Sequence, residues 1–316
     1  MLNLIRNEWM KIFRRPGTYV MLAILLLIVA ITGAFMKYQE NGTDQNHNED
    51  WKTVLVQENE ALKSQLDSSP MKVEQDYYKK QIAINEYRIE HDIPFREKYN
   101  SWSFVKDSSE IIILAGLFTI IVSAGIVASE FTWGTIKLLL IRPINRSKIL
   151  LSKYLTVLLF ALLLVVSLFV FSAVLGTILF GLPEQAIPYL NYFDGQVTEQ
   201  HMVIYLINYY GLASIEMIML ATMAFMISSV FRNSSLAIGL SIFLMFMGSS
   251  LTGLLSMKFT WAKYILFANT NLMQYFEGAP LVEGMTITFS IIMILVYFVI
   301  FQFLAFYVFN KRDVAA

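Results

Sequence analysis

The chain has 316 residues, of which 56% are hydrophobic and only 15% charged, with 24 Lys and Arg against 24 Asp and Glu. Soluble domains carry about 25% charged residues. Here the mean hydropathy is +0.56 and the apolar residues are gathered into runs of about twenty, which excludes an ordinary soluble fold and predicts a polytopic membrane protein. With no cysteine, disulfides, thiolate nucleophiles and Cys-ligated metals are excluded as well.

Residues 1–17 read as an amphipathic interfacial helix. Leu2, Ile5, Trp9, Ile12 and Phe13 fall on one stripe, while Asn3, Asn7, Lys11, Arg14 and Arg15 face away. Pro16-Gly17 turns the chain into the first span, 18–37. That run is too long for a cleavable signal peptide and lacks a small-residue cleavage site before Lys37.

Residues 38–108 are polar, with acids outnumbering bases, and predict a large helical hairpin across the membrane from the N-terminus. Trp51, Val54, Leu55, Ala61, Leu62 and Leu66 share a face of its first helix. Ser69-Pro70 starts the second, which carries two apolar stripes: Val73, Tyr77, Ile84 and Tyr87, and Tyr78, Ile82 and Ile89. One stripe meets the first helix. The other requires a partner chain, a membrane surface or a ligand, unless the hairpin is self-contained with a few exposed aromatics.

The second span is 109–128 and the third 154–180, which at 1.5 Å per residue is about 40 Å long and so tilted or projecting. Between them, residues 129–153 hold Lys137, Arg142, Arg146, Lys148 and Lys153 against one acid, Glu130, and Arg142-Pro143 breaks the apolar run Ile136–Ile141. Residues 181–201 have Pro183, Pro188 and three acids but no Lys or Arg, and read as an external loop. The fourth and fifth spans are 202–231 and 234–256. Residues 257–284 are too aromatic for a free loop and too polar for a span, and predict an interfacial or re-entrant element. The sixth span is 285–310, followed by the tail 311–316. Basic segments alternate with acidic or neutral ones, so both termini are expected in the cytoplasm.

No G-x-x-x-x-G-K-[ST] is present, so this chain has no P-loop for nucleotide phosphates. His47, His91 and His201 are scattered over outer segments and read as solvated rather than as metal ligands. The basic segments are short and lack interleaved aromatics, which argues against nucleic-acid binding. Glu216 is the one acid deep in a span. At a helix centre it costs about 2.5–3.5 kcal/mol. It is expected at a dimer seam or on a transport path, or else as a protonated acid bonded to a neighbouring helix.

The pattern Glu130, Gly134, Thr135, Leu139, Leu140, Pro143, Arg146, Leu150 and Lys153 after the second span, with an N-terminal interfacial helix and six spans, resembles the permease subunits of ABC-2-type ABC transporters. The outer hairpin, with QIAINEYRIEHDIP at Gln81–Pro94, is similar to permeases of Gram-positive bacteria that work with BcrA-like ATPases, the bacitracin and lantibiotic resistance group. The resemblance implies an all-α membrane fold with a cytoplasmic coupling helix within Ser129–Ser147. Glu130, Trp133, Gly134, Thr135, Ile136, Pro143 and Arg146 would be the ATPase-coupling residues. It further implies two cytosolic ABC ATPase subunits holding ATP and Mg, a second permease (identical or related), contact with membrane lipids, and export of an amphipathic peptide, antibiotic or lipid-like molecule from a bacterial cell membrane. No cofactor and no enzymatic activity are expected in this chain. Gly134-Thr135 and Pro143 shaping a plain loop is the bland alternative. An ion-coupled secondary transporter, or a non-transporting sensor or envelope-assembly protein, are the competing functions.

Overall fold

The computed structural model describes residues 1–42, 51–69, 72–94, 99–135, 144–183, 187–193, 195–231, 233–276, 280–282 and 284–311. In chain order these form helices α1 (Leu2–Phe13), α2 (Pro16–Gly42), α3 (Trp51–Ser68), α4 (Lys72–Glu90), α5 (Ser101–Ser108), α6 (Ile112–Thr132) and α7 (Arg146–Phe180). Then follow strands β1 (Tyr189–Phe193) and β2 (Gln196–Gln200), and helices α8 (Met202–Phe231), α9 (Ser234–Ser256), α10 (Leu266–Asn269) and α11 (Ile287–Lys311). Among the described residues six helical stretches are long and apolar enough to cross a membrane, the second being α5 and α6 together. The chain is an all-α multi-pass membrane protein, and among the described residues it carries one small β-hairpin at the end of the bundle opposite the basic segment.

Helices α6 and α8 are the most buried of the six stretches and pack most extensively on each other. Lipid is as apolar as a leucine side chain, so close packing and interhelical hydrogen bonds, rather than water exclusion, must hold such a pair. The sequence supplies both. Ala115, Ala124, Ala128, Ala221 and Ala224 let the backbones approach and are fully buried. The Ser123 hydroxyl donates to the Ala221 carbonyl at 2.6 Å, and the Ser228 hydroxyl donates to the Ala124 carbonyl at 2.6 Å while accepting from the Ala128 amide at 3.0 Å. Tyr154 of α7 joins through a 2.8 Å bond with Thr222. The apolar flanks of α2, α9 and α11 stay largely uncovered within the chain.

Several boundaries differ from the sequence reading. Residues 101–108, assigned there to the outer hairpin, form α5, capped by the Asn100 side chain accepting from the Trp102 and Ser103 amides. Helix α6 runs on to Thr132 and α7 begins at Arg146, so both ends of the segment 129–153 are helical extensions of spans. Residues 181–201 hold a β-hairpin rather than a plain loop. Tyr189 pairs with Gln200 and Phe193 with Gln196, and Gly195 at φ 80° closes the turn, the conformation a tight hairpin demands.

The α3–α4 hairpin closes through a buried hydrogen bond from Asn85 to Asn59 at 3.0 Å, beside Leu55 and Ile82. Ala61, expected on the shared face, is exposed. The stripe of α4 that carries Tyr87 meets the β-hairpin of the same chain, because α4 packs on both strands and the Tyr87 hydroxyl reaches Glu199 at 3.3 Å, while Tyr77 on that stripe stays exposed.

Residues 257–276 fold as two 3-10 turns flanking α10, tucked against α9 and α11. Buried Asn269 organises them: its amide donates to the Lys263 and Ile265 carbonyls at 2.8 Å each and its oxygen accepts from Ser290 at 2.8 Å. Gly248 of α9 lets the Phe267 ring lie directly on the helix, where a Cβ would come within 2.4 Å of a ring carbon.

Candidate functional site

At the basic end of the bundle, α1 lies across α6 and α7. The α1–α2 corner is fixed by the Thr18 hydroxyl donating to the Ile12 carbonyl at 2.6 Å. This turns Glu8 and Ile12, four residues apart on one face, inward. Glu8 meets Lys153 of α7 at 2.7 Å, and Lys153 also meets Glu130 of α6 at 3.0 Å. Lys11 closes the ring with 2.9 Å contacts to both Glu8 and Glu130. Lys153 is 1% exposed, Glu8 6% and Glu130 7%, while the Lys11 side chain is 44% exposed, so the ring is charge-balanced, with three members buried and its Lys11 corner open to solvent.

Burying an ammonium ion costs several kcal/mol unless its donors are used. Lys153 uses all three: two on carboxylates and one on the Ile126 carbonyl at 3.1 Å. Glu130 stands in the last turn of α6, where the helix dipole disfavours a negative charge, and two lysines offset that. Burial lowers the pKa of Lys11, but hydrogen bonds and charge from Glu8 and Glu130 outweigh it and hold the ammonium above its ordinary value.

The E-x-x-x-G-T spacing acquires a local explanation here. Gly134, at φ 68°, is the left-handed residue that ends α6. The reversal brings the Thr135 hydroxyl back to donate to the Glu130 carboxylate. Glu130 and Thr135 therefore face into the chain. Trp133, 64% exposed, is turned outward with the Arg15 guanidinium 4.9 Å above its ring. Arg146 donates to the Asn310 carbonyl at 3.4 Å, at the C-terminal end of α11. Ile136 and Pro143 lie outside the described residues.

Glu216 sits elsewhere, in the half of the bundle nearer the hairpins. It borders a cavity of about 550 Å³ between α6, α8, α9 and the turns after α10, with Ser109, Thr270, Asn271 and Gln274 as polar neighbours on the wall. A second cavity, of about 510 Å³, shares Tyr209 and Met273 with the first and extends to Asn191 and Gln200 of the β-hairpin. The two adjoin at Tyr209 and Met273 as one recess with a mostly apolar wall, reaching from Glu216 toward the β-hairpin.

Lys11, which the helical-wheel reading turned away from the apolar stripe, in fact joins the ion ring. Glu8 carried no sequence signal beyond being the one acid of an otherwise basic helix. His91 stacks on Tyr87 at 3.9 Å, and the His201 ring nitrogen accepts from the Val203 amide at 3.3 Å. Among the described residues no group of three or more His, Asp or Glu could hold a metal ion.

A family model described as "Protein of unknown function (DUF2705)" matches residues 73–315. The chain is 51% identical to the uncharacterized protein YhcI of Bacillus subtilis (strain 168) over 317 residues, covering 100% of both proteins. It is 30% identical to the uncharacterized membrane protein YdbK of the same organism over 217 residues, 68% of this chain and 84% of that one.

Proposed function

The chain belongs to the DUF2705 family, and we propose that it is the membrane-embedded permease subunit of an ABC-type exporter in a bacterial cell membrane, with both termini in the cytoplasm. Its power source is a pair of separate cytosolic ATPase subunits, and it works beside a second permease, identical or related. The cargo is an amphipathic molecule that passes from the membrane or cytosol to the outside.

One observation carries this reading. The Glu8–Lys11–Glu130–Lys153 ring ties the N-terminal helix, the end of α6 and the start of α7 into one body. Trp133 is displayed on that body's surface. A force applied at Trp133 from a docked ATPase reaches α6 through its own backbone, α7 through the buried Glu130–Lys153 pair, which salt screens little, and α1 through the buried Lys153–Glu8 pair and the half-exposed Lys11. Helix α6 in turn is hydrogen-bonded to α8 through Ser123, Ala124 and Ala128, and α8 borders both cavities. Local rigidity at the basic end thus has a continuous route to the recess. The basic character of 129–153 and the relatives from a bacterium support the orientation and the membrane assigned.

The test is affinity purification of the tagged chain in mild detergent from its native host. Recovery of a P-loop ATPase in a fixed ratio is the expected result. Ion-driven uptake by proteoliposomes of the chain alone, with no ATPase recovered, would replace this reading with a secondary transporter.

A further inference from the structure

We propose that the cavity bordered by Glu216 binds a small monocationic amphiphile, a single positive charge on a compact apolar body, with the Glu216 carboxylate as counter-charge. This names the substrate class of the proposed exporter and rests on that reading for its transport consequence.

Size is the first argument. A cavity of about 550 Å³ falls within the range of roughly 300–1,000 Å³ that holds drug-sized molecules. It is too small for a folded or extended peptide of many residues. Charge is the second. Among the described residues Glu216 is the only carboxylate on the wall, and none of the described lining residues is Lys, Arg or His. An acid at this depth is costly to bury, and a bound cation returns part of that cost where an anion adds to it. A neutral ligand can donate a hydrogen bond to the carboxylate but leaves its charge uncompensated.

The third argument is the rest of the wall. Met217, Met245 and Met273 present flexible, polarizable side chains, which accommodate apolar bodies of differing shape. Tyr209, shared with the second cavity, is an aromatic that can engage a cation moving between the two.

The experiment uses the full chain in phosphatidylcholine nanodiscs and two probes of the same shape and opposite charge, tetraphenylphosphonium and tetraphenylborate. Calorimetric titrations are corrected against empty nanodiscs. Saturable binding of tetraphenylphosphonium is expected, weakened about tenfold or more by Glu216→Gln, which corresponds to about 1.4 kcal/mol. Tetraphenylborate should show no saturable binding above the empty discs. Ala213→Phe keeps the carboxylate but fills the cavity, and should weaken cation binding too; it decides the matter if Glu216→Gln does not fold. Cation binding undiminished in every folded variant of the two, or equal binding of the borate, overturns the site. An ATPase that co-purifies with a chain failing this titration leaves export standing and removes the cation site. Glu216-dependent cation binding by a chain that recruits no ATPase does the reverse.

Discussion

The Lys153 ammonium lies 3.0 Å from the Glu130 carboxylate, and the lysine is 1% exposed. Two residues on different helices thereby close the base of α6 against α7. The contact is one edge of a four-charge ring, and the ring's neutrality makes its behaviour on mutation asymmetric.

Removing one member strands a charge in a dry site, which costs about 3–5 kcal/mol. Lys153→Gln should therefore lower the thermal unfolding midpoint in detergent strongly, and Glu130→Gln should do likewise. The double substitution Glu130→Gln with Lys153→Gln leaves Glu8 and Lys11 as a balanced pair, and is expected to recover a substantial part of the loss. A double variant as unstable as the sum of the singles would mean that the residues act independently.

Gly134 ends α6 at φ 68°, with nothing within 4 Å of where a Cβ would stand. Substitution there strains the backbone rather than the packing. Gly134→Ala should cost about 1–2 kcal/mol, whereas Gly134→Asn, whose side chain tolerates the left-handed region, should cost less. Thermal unfolding of the two variants reads the difference. Equal losses would point to a role for the open space itself.

Trp133 is exposed and touches the chain through Arg15. Trp133→Ala forfeits a contact of about 0.5–1 kcal/mol and should fold normally. Recovery of the ATPase by affinity purification should nevertheless fall severalfold. Undiminished recovery would place docking elsewhere on the basic segment. Glu130→Lys is a poor docking probe, because it puts a third ammonium beside Lys11 and Lys153 and tests folding instead.

Lys11 gives the docking of α1 a defined pH dependence. Its folded pKa lies above the ordinary 10.5, so its contribution is fully present below that value and is lost as pH rises through the folded value. Protease cleavage between α1 and α2 should be flat from about pH 6 to pH 9 and increase only in more alkaline buffer. Lys11→Gln should raise cleavage already at neutral pH.

Much of the architecture was legible in the residues. The fourth and fifth spans coincide with α8 and α9 at Met202–Phe231 and Ser234–Ser256, because a polar turn with Asn233 as cap separates two long apolar runs. The aromatic stretch 257–284 read as neither loop nor span, and its described part, 257–276, folds as short turns around Asn269. The β-hairpin at 189–200 escaped because five-residue strands between two membrane helices leave too short an alternation to stand out. Only Asp194-Gly195 marked the turn.

The candidate sites divide in the same way. Glu216 was conspicuous because one acid among apolar neighbours is visible along the chain, but nothing along the chain shows a cavity beside it. Glu130 and Lys153 were visible as members of a motif, yet their orientation was not. The resemblance groups Glu130 with the ATPase-coupling residues, and in the structure its carboxylate is turned inward onto Lys11, Lys153 and Thr135.

What the sequence by itself determined is the number of apolar helices and the sign of the charge at each end, since both depend on run length and local composition measured against a hydrocarbon layer of about 30 Å. Only the tertiary structure decided that Glu8 meets Lys153, 145 residues further on. Such a pairing depends on the rotation of three helices about their own axes, which no periodicity within one helix specifies.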